Sequence, residues 1–181
     1  MNIITSSNHT AEHTVLFQQG ISFLIEENGN QIGIWTEHTP QHEGQSCIAI
    51  GACDLSGAEP VVFLRNCVEH LKQKFADRAI IGPMNGNTWM KHRLIIESSD
   101  QQPFLMEPIE PDELYHQFTE VGFTELSCYS SSRIDLTTEQ PQFEKLTRIL
   151  AKQNIQIREL DMENYTRDLE QIYNLSISAF S

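Results

Sequence analysis

An Asn28-Gly29 pair separates two short apolar runs, residues 21–25 (ISFLI) and 31–35 (QIGIW), and this spacing constrains the fold more than any other feature. Both central positions of a type I′ turn need positive φ, which asparagine and glycine tolerate, so the pair predicts a β-hairpin. After a polar loop over residues 38–44, residues 47–51 (CIAIG) read as a buried strand. Pro60 then opens a helix running to about Phe75. Val61, Leu64, Val68, Leu71 and Phe75 recur there at spacings of three and four and form one apolar face.

Residues 79–81 predict another short strand, with residues 94–96 and 104–106 as further candidates. Pro111 starts a second helix that turns Leu114, Phe118 and Val121 inward and closes on Gly122 as a left-handed cap. Residues 123–129 and 133–136 read as two closing strands. Strands followed by helix–strand–helix–strand–strand predict an α/β (α+β) fold, a mixed and mostly antiparallel sheet with helices on its faces. Residues 1–12 are polar and are expected to fray. Past a linker at residues 137–141, Phe143, Leu146, Ile149 and Leu150 mark a short amphipathic helix ending near Asn154. Residues 155–161 (IQIRELD) alternate like a strand, and Asp161 is set to N-cap a last helix that carries Tyr165, Leu169, Ile172, Tyr173, Ile177 and Phe180. The expected division is 1–139 for the main domain and 140–181 for a strand-helix extension.

Twelve basic against 25 acidic residues give a net charge of −13 with no Lys/Arg cluster, which argues against a nucleic-acid partner. No run approaches 18 apolar residues, so no membrane partner is expected. Four cysteines without CxxC spacing, and no signal-peptide pattern at the start, predict reduced thiols in a cytoplasmic setting.

Two segments carry a resemblance. Residues 78–93 (RAIIGPMNGNTWMKHR) and 114–123 (LYHQFTEVGF) together resemble the C-terminal half of an acyl-CoA N-acyltransferase domain of the GNAT superfamily. Residues 155–161 with the helix after them resemble the opening of a second such domain, as in tandem-GNAT proteins. The resemblance implies a GNAT-like N-acyltransferase that moves an acyl group from acetyl-CoA or another acyl-CoA to a small-molecule amine, without a metal. Backbone N–H groups would stabilise the tetrahedral oxyanion, and CoA would leave as a protonated thiol. It also implies a second GNAT domain as a partner for the C-terminal helix, while the apolar stripe of that helix by itself predicts that it packs back on residues 1–139 or docks on a second copy in a homodimer.

The implied cofactor site is the turn from strand to helix at residues 51–60, with Gly51, Ala52, Cys53, Ser56 and Gly57 as binding residues, because backbone N–H groups at a helix start hold pyrophosphate. The family pattern there is Arg/Gln-x-x-Gly-x-Gly/Ala. This chain keeps Gly57, lacks the Arg or Gln, and sets Asp54 and Glu59 where the pyrophosphate would lie. The second departure is in the helix before Gly122. Four residues before the Gly-Phe pair the family commonly has tyrosine, a general acid for the CoA thiolate, and this chain has Phe118. Tyr115, three residues earlier, is the catalytic candidate in its place. Asn85, Trp89 and Arg93 in the 82–93 loop are the substrate-binding candidates. These losses predict a degenerate half with weak or absent activity; the alternative is a non-catalytic small-molecule-binding or domain-interaction module.

Two weaker signals concern metals. His9, Glu12 and His13 match the His-x-x-Glu-His zinc string, but in a polar segment with no helical face. His38 and His42 flank Pro40, which excludes a helical pair of ligands, so with Cys47 nearby they read as a solvated loop.

Overall fold

The computed structural model describes residues 1–97, 111–132, 141–155 and 158–180. The chain forms two compact units, Met1–Cys128 and Tyr129–Ser181.

The first unit is built on a five-stranded sheet. Its strands are β1 (Asn2–Ile4), β2 (Phe23–Glu27), β3 (Asn30–Trp35), β6 (Ile48–Asp54) and β7 (Ile80–Ile81), in the order β1-β2-β3-β6-β7. The expected hairpin is present: Glu27 pairs with Asn30 across Asn28 and Gly29, whose φ values are 51° and 82°. A separate two-stranded ribbon pairs β4 (Gln41–His42) with β5 (Gln45–Ser46). β6 runs antiparallel to β3 but parallel to β7, and the helix α2 (Pro60–Lys74) makes the crossover between them. The result is a mixed, mostly antiparallel sheet within an α+β fold.

Side chains alternate across the sheet as the two-residue strand period requires. Phe23, Ile25, Ile32, Ile34, Ile48 and Ile50 face one layer, where they meet Phe63, Leu64, Cys67, Val68 and Leu71 of α2 and Leu114 and Phe118 of α3 (Asp112–Glu120). The helical period of α2 thus selects Phe63 and Cys67 as well as the expected Leu64, Val68 and Leu71. Leu24, Trp35 and Ala49 face the opposite layer, against Leu16 and Phe17 of α1 (Thr14–Gln18).

The structure corrects four expectations. The N-terminus is not frayed: Asn2, Ile3 and Ile4 pair with Glu26, Ile25 and Leu24, and a 3-10 turn (Ala11–His13) leads into α1. Three residues in a strand and five in a helix are too few to show a period, which hid them. Residues 94–96 form no strand. Residues 123–129 form none either, since the Phe123 N–H turns back to the Phe118 carbonyl (3.1 Å), closing α3 after Gly122 at φ 96°, and Leu126 and Tyr129 lie exposed. Residues 155 and 158–161 are irregular. The candidate strands at 104–106 and 133–136 lie outside the described residues.

The second unit contains α4 (Pro141–Lys152), a 3-10 turn (Met162–Asn164) and α5 (Tyr165–Phe180). Asp161 caps the turn as expected, its Oδ1 accepting from the amides of Glu163 (3.1 Å) and Asn164 (3.3 Å). Behind it Asp168 is 2% exposed and accepts from Arg158 (2.6 Å), Arg167 (3.4 Å) and the Asp161 amide (3.1 Å). These donors favour the charged carboxylate and hold it well below its usual range.

Candidate functional site

The turn from β6 into α2 is where the resemblance sets an acyl-CoA pyrophosphate. Its geometry is governed by a side chain from outside the turn. Asn30, 2% exposed, sits at the head of β3 just after the hairpin turn. Its Oδ1 accepts from the Gly57 amide (3.0 Å) and its Nδ2 donates to the Ala58 carbonyl (2.7 Å). The neighbouring amides are committed too. Ser56 N–H donates to Asp54 Oδ1 (3.2 Å), and Ala58 N–H donates to the Asn28 carbonyl (3.1 Å). Pro60 has no N–H to offer. Three successive amides, those a phosphate would need, therefore bind the chain itself.

Glycine at 57 serves this closure. A Cβ there would lie 2.4 Å from the Asn28 carbonyl oxygen and 2.5 Å from the Gly29 carbonyl carbon. The close backbone approach that glycine permits is made to the hairpin turn. Asp54, exposed at the end of β6, accepts also from the Ser56 hydroxyl (2.6 Å). A cleft of about 30 Å³ remains beside the turn, lined by Glu27, Asn28, Asn30, Ala58, Glu59, Val62 and Phe63. It has room on the order of one or two waters.

The upstream half of the candidate site lies on β6, where it parts from β7. Pairing of the two strands ends at Ala49 and Ile81. Beyond this point the 82–86 segment takes the place beside β6: Met84 N–H donates to the Ile50 carbonyl (2.7 Å), and Asn85 Oδ1 accepts from the Ala52 amide (2.8 Å). Ala52 stands at a bulge with φ 44°, at the register shift between β3 and β6, which aims its N–H toward Asn85. A Cβ on Gly51 would fall 2.4 Å from Asn85 Oδ1 and from the Met84 carbonyl oxygen, so glycine lets the segment seat directly on the strand. Cys53 is half-buried and packs against the α2-side core.

The candidate catalytic side chain is engaged elsewhere. Tyr115 OH donates to Glu125 Oε1 (3.2 Å), and the carboxylate raises the phenol's pKa, which makes it a weaker acid. Cys128 Sγ donates to the other oxygen of the same carboxylate (3.4 Å), which raises its pKa as well. Phe118 is core, with its ring edge-on to Phe123 at 4.9 Å between centroids.

Asn85, Trp89 and Arg93 do not converge. Asn85 faces Ala52, Arg93 is exposed, and Trp89 is 85% exposed. Their loop is nonetheless tied down. Arg93 N–H donates to the Pro83 carbonyl (3.1 Å), Asn85 N–H to the Lys91 carbonyl (2.8 Å), and Met84 bridges His92. Trp89 N–H donates to Asn87 Oδ1 (3.0 Å), and Gly86 packs on the Trp35 ring.

The other sequence signals resolve separately. His9 lies against the Phe17 ring at 5.0 Å, and His13 Nε2 meets Glu26 Oε1 at 2.8 Å. His38 and His42 are exposed, while Cys47 is buried and its thiol pKa is raised by desolvation. Among the described residues no group of three or more His, Cys, Asp or Glu is placed to hold a metal ion.

Two residues escaped the sequence reading. Asn30 was legible only as the residue after the turn pair. Arg78 donates from Nε to the Ser46 carbonyl and from an Nη to the carbonyls of Thr36 and Cys47, all at 2.6 Å, which ties the start of β7 to the ends of β3 and β6. Comparison with protein-family models, curated proteins and solved structures finds no match to this chain.

Proposed function

We propose that residues 1–128 are a GNAT-like domain whose acyl transfer from acyl-CoA to an amine is weak or absent, and which works as a non-catalytic interaction module. The GNAT-like part is supported by strand order: three antiparallel strands lead into β6, a helical crossover, and a parallel β7 beside which the chain departs. The loss of chemistry rests on one observation. The Ser56, Gly57 and Ala58 amides are bonded to Asp54, Asn30 and Asn28, so a pyrophosphate would have to displace protein acceptors to reach them. A buried asparagine bonded through both ends of its amide is costly to unpair.

The interaction role is supported by the 83–93 loop. An exposed indole on a backbone already fixed by its own hydrogen bonds loses little entropy on docking, and tryptophan is a frequent energetic anchor of interfaces.

Calorimetric titration with acetyl-CoA tests the reading. No heat of binding at millimolar cofactor is expected. Micromolar binding, with acetyl transfer to amines that falls on Tyr115→Phe, would restore the enzyme.

A further inference from the structure

The second unit has its polarity reversed. Among its described residues only one side chain is buried, and that is Asp168. Its large apolar side chains are outside: Leu169 is 43% exposed, Ile172 50%, Tyr173 65%, Leu175 69% and Ile177 51%. At 100° per residue these cover roughly 200° of the α5 circumference, more than an amphipathic surface helix presents. Meanwhile the contacts of Asp168 with Arg158, Arg167 and the Asp161 amide fix the start of α5 to the preceding segment. The unit is locally ordered by a polar clasp and shows its apolar surface outward.

Among the described residues of the first unit, the exposed large apolar side chains lie on separate elements, with Met1 at the start of the chain, Val15 on α1, Val62 on α2, Trp89, Met90 and Ile96 in and after the loop and Leu126 after α3. That unit also carries six basic against 17 acidic residues, a net of −11, while the second unit carries six against eight, a net of −2. Two copies of this acidic chain approach with least repulsion through their second units.

We propose that the chain forms a homodimer through α5, each helix covering its symmetry mate in an antiparallel pair. The charges of α5 fix the direction. Arg167, Asp168 and Glu170 all lie near its start, and residues 171–180 (QIYNLSISAF) carry none. A parallel pair would set Glu170 against Glu170. An antiparallel pair sets each charged start against an uncharged end and is isologous, as a two-fold dimer requires. The proposal does not depend on how the first unit is read.

Light scattering on the full chain at tens of micromolar protein is expected to give twice the 20.7 kDa chain mass. A single chain mass overturns the proposal, whether α5 then folds against its own first unit or stays bare. Ile172→Asp is expected to weaken association at least about a hundredfold, since each interface would bury two unpaired carboxylates. A dimer that survives this change shows that the interface is elsewhere. Circular dichroism establishes that the variant keeps its helices. Cross-linking gives a readout that does not need a disruptive change. In a Cys128→Ser background exposed to air oxygen as the oxidant, Ile172→Cys is expected to oxidise to a covalent dimer, and Tyr165→Cys, on the same face at the start of α5, is not. Cross-linking at both positions means a parallel pair and overturns the arrangement.

Discussion

The two units of this chain solve opposite problems with opposite residues. In the first, Ile25, Ile32, Ile34, Ile48, Ile50, Leu64 and Leu71 are fully buried between the sheet and α2, and the buried polar side chain, Asn30, seals a turn. In the second, the buried side chain among the described residues is Asp168, and Leu169, Ile172, Tyr173, Leu175 and Ile177 of α5 are exposed. The contrast shows that composition alone does not separate a finished core from an interface. What separates them is whether apolar side chains from different elements reach each other. Strands β2, β3 and β6 bring theirs together through sheet pairing, whereas α5 has no such neighbour within its unit among the described residues.

The strongest way to sharpen the contrast is to empty one core position in the first unit. Phe118→Ala removes a buried ring between α3 and the sheet and is expected to cost about 3–5 kcal/mol, read by denaturant unfolding. Survival of the full midpoint would show that Phe118 is not core. Gly57→Ala comes next. Its Cβ would collide with the hairpin backbone at Asn28 and Gly29, neither of which is a flexible side-chain tip, so a loss of about 2 kcal/mol is expected in the same assay. Asn30→Ala leaves the Gly57 amide and the Ala58 carbonyl without their partner and is expected to cost about 1–3 kcal/mol. A neutral outcome there would mean that water replaces the side chain and that the turn is open after all.

Smaller effects are expected on the outward-facing parts. Trp89→Ala is expected to change the melting temperature little, under about 0.5 kcal/mol, because the ring is 85% exposed. A larger loss would place Trp89 in the packing of its loop. The Asp168 clasp contributes nothing visible to a pH scan near neutrality. Its folded-state pKa lies below the ordinary 3.8, so its stabilisation is complete above that value and is lost as pH falls through the lower folded value. Helicity of the second unit that falls already between pH 7 and 5, in step with Asp168→Asn removing that fall, would reverse the sign and refute the clasp.

Much of the first unit was legible in its residues. Asn28-Gly29 specified both the hairpin and its register, Pro60 marked the start of α2, and Gly122 the end of α3. These signals are local, set by φ preferences and helical spacing. The misses were non-local. Asn2 to Ile4 become a strand only because β2 offers an edge, and residues 123–129, read as a strand, form none. The candidate site was legible in position but not in state. The sequence marked Gly51, Ala52 and Ser56–Gly57 as a turn suited to a phosphate, yet the groups that occupy its amides, Asn30 and Asn85, lie 27 and 33 residues away in the chain. Periodicity carries no information about such a partner.

The most direct test of the closed turn is the Gly57 amide itself, followed by nuclear magnetic resonance in the intact chain. Its hydrogen bond to the buried Asn30 predicts slow exchange with solvent and a resonance that does not move on addition of acetyl-CoA. A rapidly exchanging Gly57 amide that shifts with the cofactor, together with those of Ser56 and Ala58, would contradict the account.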